Sequence, residues 1–185
     1  RSGARTGDDI YVTGTLGDAS IGLQILNGEV GDGVATADLE KLKWRFLCPT
    51  ARVLAGLALT ADHLVPAMID ISDGLLQDLT HICEASKVGA RVDAEKLPLS
   101  SEYEAVMGRG ERATALVGGE NCELLFCAAP ENHARIQKIA GVGECSITRV
   151  GKVVPAHKGI LVNHDNQTLP ARHFKGFDHF ARQPK

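Results

Sequence analysis

Short β-prone runs alternate with longer helical patterns along this chain, and glycine-containing turns join them. The clearest unit is the apolar run 65–71, which Ser72-Asp73-Gly74 connects directly to a stretch whose leucines recur at helical spacing. Such alternation is typical of layered domains in which helices pack on a sheet. Glycine contributes 20 of the 185 residues, above the usual level of roughly 7%, which fits many tight turns. The sequence therefore predicts an α/β (α+β) fold, and the short spacing of its late strands favours a mixed β-sheet with packed helices.

The same periodicities predict the order of the elements. Strands are expected at 10–13, 65–71, 90–93, 122–128, 146–150, 152–154 and 160–163. Helices are expected at 19–27, from Asp38 to Leu47, after Thr50, from 75 until Gly89, up to Met107, at 111–116 and at 130–140. The predicted N-caps are Asp18, Thr50 and either Ser100 or Ser101. The helix after Thr50 is expected to bury Val53, Leu54 and Leu57.

Charge and hydrophobicity exclude two classes of partner. The chain has 20 Lys and Arg against 23 Asp and Glu, a formal charge of −3, so it lacks the basic field that gathers nucleic acid or anionic membranes. No apolar stretch reaches the ~20 residues that span a bilayer. We therefore expect no nucleic-acid partner and no membrane partner.

The five cysteines are scattered along the chain, at Cys48, Cys83, Cys122, Cys127 and Cys145. Their number is odd, and no second Cys or His pair completes a zinc pattern. These features predict reduced thiols, mostly buried as small apolar side chains, in a cytoplasmic protein.

The beginning of the chain indicates a fragment. The first residue is Arg1, the first methionine is Met68, and the opening residues lack the apolar segment of a signal peptide. We therefore expect the chain to be the back part of a longer protein.

The sharpest chemical motif is Met68-Ile69-Asp70-Ile71-Ser72-Asp73-Gly74. It places Asp70, Ser72 and Asp73 where a buried strand passes into a helix, and ligands of open α/β sheets bind at such strand ends. Two carboxylates three residues apart can converge on Mg²⁺, while Ser72 and the helix N-terminus offer donors to a phosphate. The alternative is structural, with Asp73 capping the helix and Asp70 ending the strand in solvent.

Three further segments have both a functional and a structural interpretation. Gly118-Gly119-Glu120 would let a backbone approach a ligand closely, or would simply be a turn before a strand. The segment 13–18 resembles a phosphate loop but lacks the Walker and Rossmann patterns, which favours a turn. Phe177 and Phe180, in an aromatic-poor chain, could stack on a flat ligand or dock the tail onto the core.

Taken together, these segments resemble the C-terminal half of bacterial thiamine-monophosphate kinases, which belong to the aminoimidazole ribotide synthetase-like superfamily. The resemblance rests on motifs that occur in the family's order over essentially all 185 residues: 1–4, 7–8, 11–18, 69–75, 118–120, 123–124 and 176–180. It implies that residues 1–185 form a layered C-terminal domain of the aminoimidazole ribotide synthetase type, and that an N-terminal ATP-binding domain is absent from this chain.

The resemblance also implies an activity. The full-length enzymes transfer the γ-phosphoryl group of ATP to thiamine monophosphate, with Mg²⁺ as cofactor, and are expected to form homodimers. Matched residue by residue, Asp70 and Asp73 correspond to magnesium ligands, and Arg1 and Ser72 to ATP contacts. Glu120 and Phe177 correspond to residues of the thiamine site. No residue of this chain is expected to act as a covalent catalyst, and the chain without its missing domain is expected to be inactive.

One departure from the family pattern and two alternatives qualify this interpretation. The family commonly reads Gly-Gly-Glu-Asp-Tyr-Glu-Leu, whereas this chain has Asn121 and Cys122, which is expected to bear on substrate affinity. One alternative is a sister enzyme of the superfamily, of the selenophosphate, hydrogenase-maturation or aminoimidazole ribotide synthetase type. The other is a non-catalytic binding relic.

Overall fold

The computed structural model describes residues 1–142 and 145–174. Its strands form one seven-stranded sheet in the order β2-β4-β1-β5-β3-β6-β7. They are β1 (Asp9–Thr13), β2 (Ala67–Ile71), β3 (Val88–Asp93), β4 (Glu123–Ala128), β5 (Ile147–Pro155), β6 (Ile160–His164) and β7 (Gln167–Pro170). Among these strands, β3 and β6 pair in parallel and all other neighbours pair antiparallel. The predicted mixed sheet is confirmed.

Helices cover both faces of this sheet. They are α1 (Asp18–Leu26), α2 (Thr36–Leu47), α3 (Val53–Thr60), α4 (Leu75–Ser86), α5 (Ser101–Met107), α6 (Ala113–Val117) and α7 (His133–Val142). Alternation along β1 separates two cores, because Ile10 and Val12 lie in the larger core with α1, α2, α4, α5 and α6, and Tyr11 lies in the smaller core. Leu59 of α3 and Ile136 of α7 close that smaller core. Among the described residues, no helix is both long and apolar enough to cross a membrane.

The late strands differ from the prediction in two ways. The segments 146–150 and 152–154 belong to one strand, β5, whose register with β1 shifts between Ile10 and Tyr11. The strand continues through Gly151, where the sequence pattern suggested a break, and it has an irregular register with β1 there. The strand β7 was not predicted, because its residues are mostly polar and its position at the sheet edge requires little apolar character.

Of the predicted N-caps, Ser100 is confirmed, since its Oγ accepts from Tyr103 N–H (2.9 Å) at the start of α5, while Asp18 and Thr50 are wrong. Gly17, with φ of +87°, is the N-cap of α1, and Asp18 is the first helical residue. Its buried carboxylate accepts hydrogen bonds from Thr15 Oγ1 (2.6 Å) and Ser100 Oγ (2.7 Å), so it joins two loops instead of capping. Helix α3 begins after Arg52, two residues beyond Thr50. Helix α2 also begins earlier than expected, at Thr36.

The predicted inward face of α3 is wrong as well. Val53, Leu54 and Leu57 are 61%, 58% and 65% exposed, while Ala55 and Leu59 are buried. The sequence of α3 is apolar on every side, so its periodicity carries no information about which face packs on the sheet.

Two smaller predictions also fail. Helix α4 ends at Ser86, and Lys87 takes the left-handed conformation at its C-cap, so Gly89 lies within β3. A Cβ at Gly89 would lie 2.5 Å from the Gly159 carbonyl oxygen, which is why the strand has glycine there. Of the five cysteines, all free, two are buried, at Cys83 and Cys127, fewer than expected.

Candidate functional site

One edge of the sheet gathers the predicted site. Because β4 and β5 run antiparallel to β1, and β4 runs antiparallel to β2, the carboxyl ends of β1 and β2 meet the amino ends of β4 and β5. Two loops project from this edge: residues 72–74, here the Ser72 loop, and residues 118–122, here the Glu120 loop. The predicted motif at residues 68–74 thus lies at this edge.

The Ser72 loop is held by a residue that the sequence analysis missed. Asp78, in the first turn of α4 and 2% exposed, accepts hydrogen bonds at Oδ2 from the backbone N–H groups of Ser72 (3.0 Å), Asp73 (3.1 Å) and Gly74 (3.2 Å). These three amides precede the first residue of α4, Leu75, so the expected donation of the helix N-terminus to a phosphate stays a prediction. A signal was present, because Asp78 interrupts the apolar stripe of α4 beside Leu79.

The remaining residues of this motif present their side chains outward. Asp70 and Ser72 are exposed, and Asp73 is half-buried. The capping alternative for Asp73 is wrong, because Gly74, with φ of +118°, is the N-cap and α4 has no side-chain cap. A Cβ at Gly74 would lie 2.5 Å from the Val117 carbonyl oxygen, so glycine also permits close packing on the last residue of α6.

The Glu120 loop packs against the Ser72 loop. Glu120 N–H donates to the Ser72 carbonyl oxygen (2.8 Å), and Cys122 N–H donates to that of Ile71 (3.0 Å). Gly119 makes the close approach possible, since a Cβ there would lie 2.5 Å from the Ser72 carbonyl oxygen. Glu120 itself is exposed, with φ of +62°. The structure thus brings Glu120 beside the motif that carries Asp70 and Asp73.

Asn121 has a structural role in this loop. It is 3% exposed, its Oδ1 accepts from Gly17 N–H (2.7 Å), and its Nδ2 donates to the Gly118 carbonyl oxygen (2.7 Å). A carboxylate at this position could accept the first bond but could not donate the second. The departure from Asp therefore adds a hydrogen bond within the loop, and it does not remove a side chain that faces a ligand.

A small cavity of about 260 Å³ lies beside Asp73. The start of α4 forms one wall through Gln77, and Arg172 and Phe174 form another. The last described residues of the chain thus reach the predicted site. Phe177, three residues further on, lies outside the described residues.

Arg1 lies away from this group. Gly3 and Ala4 N–H groups both donate to Ser86 Oγ (3.2 Å each), at the last residue of α4. A helix of this length spans about 18 Å, and the Ser72 loop is at its other end. Within this chain, the structure does not bring Arg1 to the other predicted site residues.

A larger cavity of about 740 Å³ opens on the other side of Gly14, between the turn after β1 and α2, and is lined in part by Trp44. Below it lies Glu123, which is fully buried. Glu123 accepts hydrogen bonds from Thr13 Oγ1 (2.7 Å), Arg45 Nη2 (2.9 Å), and Arg52 Nε and Nη2 (2.8 and 2.7 Å). Sequence reasoning missed this ion cluster, whose members come from four separate segments.

Glu123 and Asp78 differ in their proton affinity. Burial by itself would raise the pKa of Glu123, yet the hydrogen bonds from Arg52, Thr13 and Arg45 lower it below its ordinary value. Burial raises the pKa of Asp78, although its bonds from the Asp73, Ser72 and Gly74 amides oppose that rise. At Glu123 the hydrogen bonds from two positively charged arginines outweigh the effect of burial on the pKa. At Asp78 the bonds from neutral backbone amides do not outweigh it.

Known proteins resemble this chain over nearly its full length. A thiamine-monophosphate kinase from Salmonella typhimurium is 39% identical over 182 residues, which cover 98% of this chain and 55% of that protein. The crystal structure of thiamine-monophosphate kinase from Stenotrophomonas maltophilia superposes with a TM-score of 0.79 at 40% identity, over 90% of this chain and 53% of that one. The structure of AaThiL complexed with AMPPCP and TMP gives a TM-score of 0.75 at 33% identity, over 97% and 53%.

The chain therefore spans about half the length of the relatives that it matches. The pattern of one protein family covers most of it, at residues 5–163. That coverage agrees with the layered fold and with the motifs at the sheet edge. The chain belongs to the family described as AIR synthase related protein, C-terminal domain.

Proposed function

We propose that this chain is the C-terminal domain of a kinase that transfers the γ-phosphoryl group of ATP to thiamine monophosphate, giving thiamine diphosphate. The observation that carries the proposal is the agreement between sequence and site. Relatives named thiamine-monophosphate kinases are 39% identical over 98% of the chain, and its Asp70, Asp73 and Glu120 meet at one sheet edge. The sister enzymes and the non-catalytic relic remain outcomes of the test below.

Asp70 and Asp73 are the proposed magnesium ligands. Asp70 is the next-to-last residue of β2 and is exposed, and Asp73 follows the strand by two residues and is half-buried. Carboxylate oxygens at the surface suit Mg²⁺, which keeps several waters and binds phosphate oxygens as well. When bound, the ion would neutralise charge on the transferring phosphoryl group.

The other proposed contacts follow the two loops. Ser72, whose side chain is exposed, is the proposed contact of the nucleotide, and Glu120, exposed on the adjoining loop, is the proposed contact of the thiamine moiety. The cavity beside Asp73 ends at Phe174, which supports a role for Phe177 against the thiamine ring. The proposed ATP contact of Arg1 requires a nucleotide that extends beyond this edge, or one bound by a second subunit.

The whole protein is part of this proposal. The chain matches 55% of its relative's length, which supports an N-terminal domain that supplies the rest of the ATP site. We propose a homodimer at full length, since the exposed Val53, Leu54 and Leu57 of α3 provide apolar surface for a contact. The five free thiols support a cytoplasmic location.

The test is an assay of the full-length protein with ATP, Mg²⁺ and thiamine monophosphate, beside the 185-residue chain. The full-length protein should form thiamine diphosphate, and the chain should not. Product formed by the chain would contradict the proposed division of the site. No product from the full-length protein would favour a sister enzyme or a relic.

Phe177→Ala tests the thiamine side. Loss of an aromatic stacking contact of roughly 0.5–1.5 kcal/mol should raise the KM for thiamine monophosphate several-fold and leave the KM for ATP unchanged. Phe46→Ala is the control, since Phe46 is a half-buried residue of α2 outside the cavity beside Asp73, and it should leave both KM values unchanged. An unchanged KM for thiamine monophosphate in Phe177→Ala would remove Phe177 from the site.

A further inference from the structure

We propose that Asp78 is a positioning residue that sets the geometry of both halves of the site. This inference rests on the proposed function. In the proposed function, Asp78 does not touch the substrate. Its carboxylate acts by fixing the Ser72 loop, and through that loop it fixes Glu120.

The first step is the position of the carboxylate. A helix N-terminus attracts anions, because its first N–H groups have no partner within the helix. In many proteins a phosphate takes that position. Here Asp78 instead binds the segment that leads into the helix, with the amides of Ser72, Asp73 and the N-cap Gly74 at 3.0, 3.1 and 3.2 Å from one oxygen. The carboxylate therefore fixes the backbone of the Ser72 loop just before α4 begins.

The second step is the coupling between the loops. With its three N–H groups bound to Asp78, the Ser72 loop directs the Ser72 carbonyl oxygen toward the Glu120 loop, where it accepts from Glu120 N–H. The two loops can approach this closely because Gly119 has no side chain, and a Cβ there would collide with the Ser72 carbonyl oxygen. A displacement of the Ser72 loop therefore moves Asp73 on the metal side and Glu120 on the thiamine side together.

A competing role for Asp78 is that of a metal ligand. Ligand atoms of Asp73, Asp78 and His81 all lie within 4.8 Å of one another. Two observations favour the positioning role. Asp78 Oδ2 already accepts three hydrogen bonds, and the imidazole of His81 is a poor match for the oxygen preference of Mg²⁺.

The experiment compares Asp78→Asn with Glu84→Gln in the full-length protein. Both changes neutralise a carboxylate on α4, but Glu84 is exposed in its last turn. Residues that orient metal ligands typically contribute roughly 10–100-fold. Asp78→Asn should lower kcat/KM by at least about tenfold. It should also raise the Mg²⁺ concentration for half-maximal rate and the KM for both substrates, and Glu84→Gln should change none of these.

Hydrogen–deuterium exchange without ligands gives a readout that needs no activity. In Asp78→Asn, amides of the segments 72–78 and 118–123 should exchange faster, while those of β3 and β5 should not change. This result would support the inference even if the wild-type protein made no thiamine diphosphate, an outcome that would overturn the proposed function alone. Unchanged exchange in both segments would overturn the inference.

Two further variants complete the test. His81→Gln should leave the magnesium dependence unchanged, and a loss equal to that of Asp78→Asn would overturn the positioning role in favour of a metal site. If Asp78→Asn does not fold, Asp78→Glu replaces it, because it keeps the charge and shifts the loop by one methylene. Wild-type kcat/KM and exchange in Asp78→Glu would then count against the inference.

Discussion

Asp78 and Glu123 are two buried carboxylates at the same edge of the sheet, and they differ in what binds them. Asp78 accepts from three backbone amides of one loop. Glu123 accepts from Thr13 and from two arginines that α2 and the segment before α3 supply. The first arrangement fixes a backbone and leaves neighbouring side chains available to a ligand. In the second arrangement the charges pair with one another and hold α2 and the segment before α3 to the sheet.

The difference explains why the predicted site lies on one side of this edge. The larger cavity lies on the Glu123 side, yet its Arg45 and Lys41 are already paired, with Glu123 (2.9 Å) and Glu102 (2.6 Å). The smaller cavity lies on the Asp78 side, beside Asp73. The proposed site therefore lies beside the smaller of these two cavities, where the acidic motif is.

Glu123→Gln should produce the largest effect. It keeps the size of the side chain but leaves Arg45 and Arg52, whose side chains are 24% and 14% exposed, without their buried counter-charge. The free energy of unfolding should fall by about 3 kcal/mol, measured by urea denaturation. Glu131→Gln, at an exposed position, is the control. A loss no larger than that of the control would remove the distinction between the two carboxylates.

Asp73→Asn should show the opposite profile on the other side of the edge. Turnover of the full-length protein should fall on the order of a hundredfold, because the variant removes a carboxylate proposed to hold the Mg²⁺ that neutralises charge on the phosphoryl group. The melting temperature should change little, since Asp73 is half-buried and does not cap α4. Asp70→Asn should behave alike. Near-normal turnover at saturating Mg²⁺ in either variant would assign that residue a structural role only.

The pH dependence of the free energy of unfolding should show the smallest of these effects. The pKa of Glu123 is lowered in the folded state from an ordinary value of 4.5, so its contribution is complete above that value and is lost as the pH falls through the lowered one. The stability gap between wild type and Glu123→Gln should therefore narrow below about pH 4.5. Denaturation curves at several pH values measure it, and a gap that widens on acidification would contradict the assigned pKa direction.

Much of the fold could be predicted where the sequence pattern was one-sided. Helix α4 buries Leu75, Leu76, Leu79 and Ile82 as its stripe predicts. Helix α3 is apolar all round, and its buried face could not be predicted. Periodicity gives an orientation only when polar residues mark the other face.

The candidate site shows the same division. Asp70, Ser72, Asp73 and Glu120 were predicted from motifs of a few consecutive residues, and the structure brings them to one edge. Their roles at that edge remain proposals. Phe177 lies outside the described residues, and Arg1 lies near the far end of α4.

The sequence by itself determined the alternation of elements, the mixed sheet and the strand end that carries the acidic motif, because these depend on local periodicity and on consecutive residues. Only the tertiary structure decided which carboxylates bind partners within the protein. Asp78 reaches back four to six residues to its amides, and Glu123 meets arginines 71 and 78 residues away. Burying a charge without hydrogen bonds costs free energy, so a buried carboxylate is found where donors surround it. Those donors can come from any segment that packs beside it, however distant in the sequence.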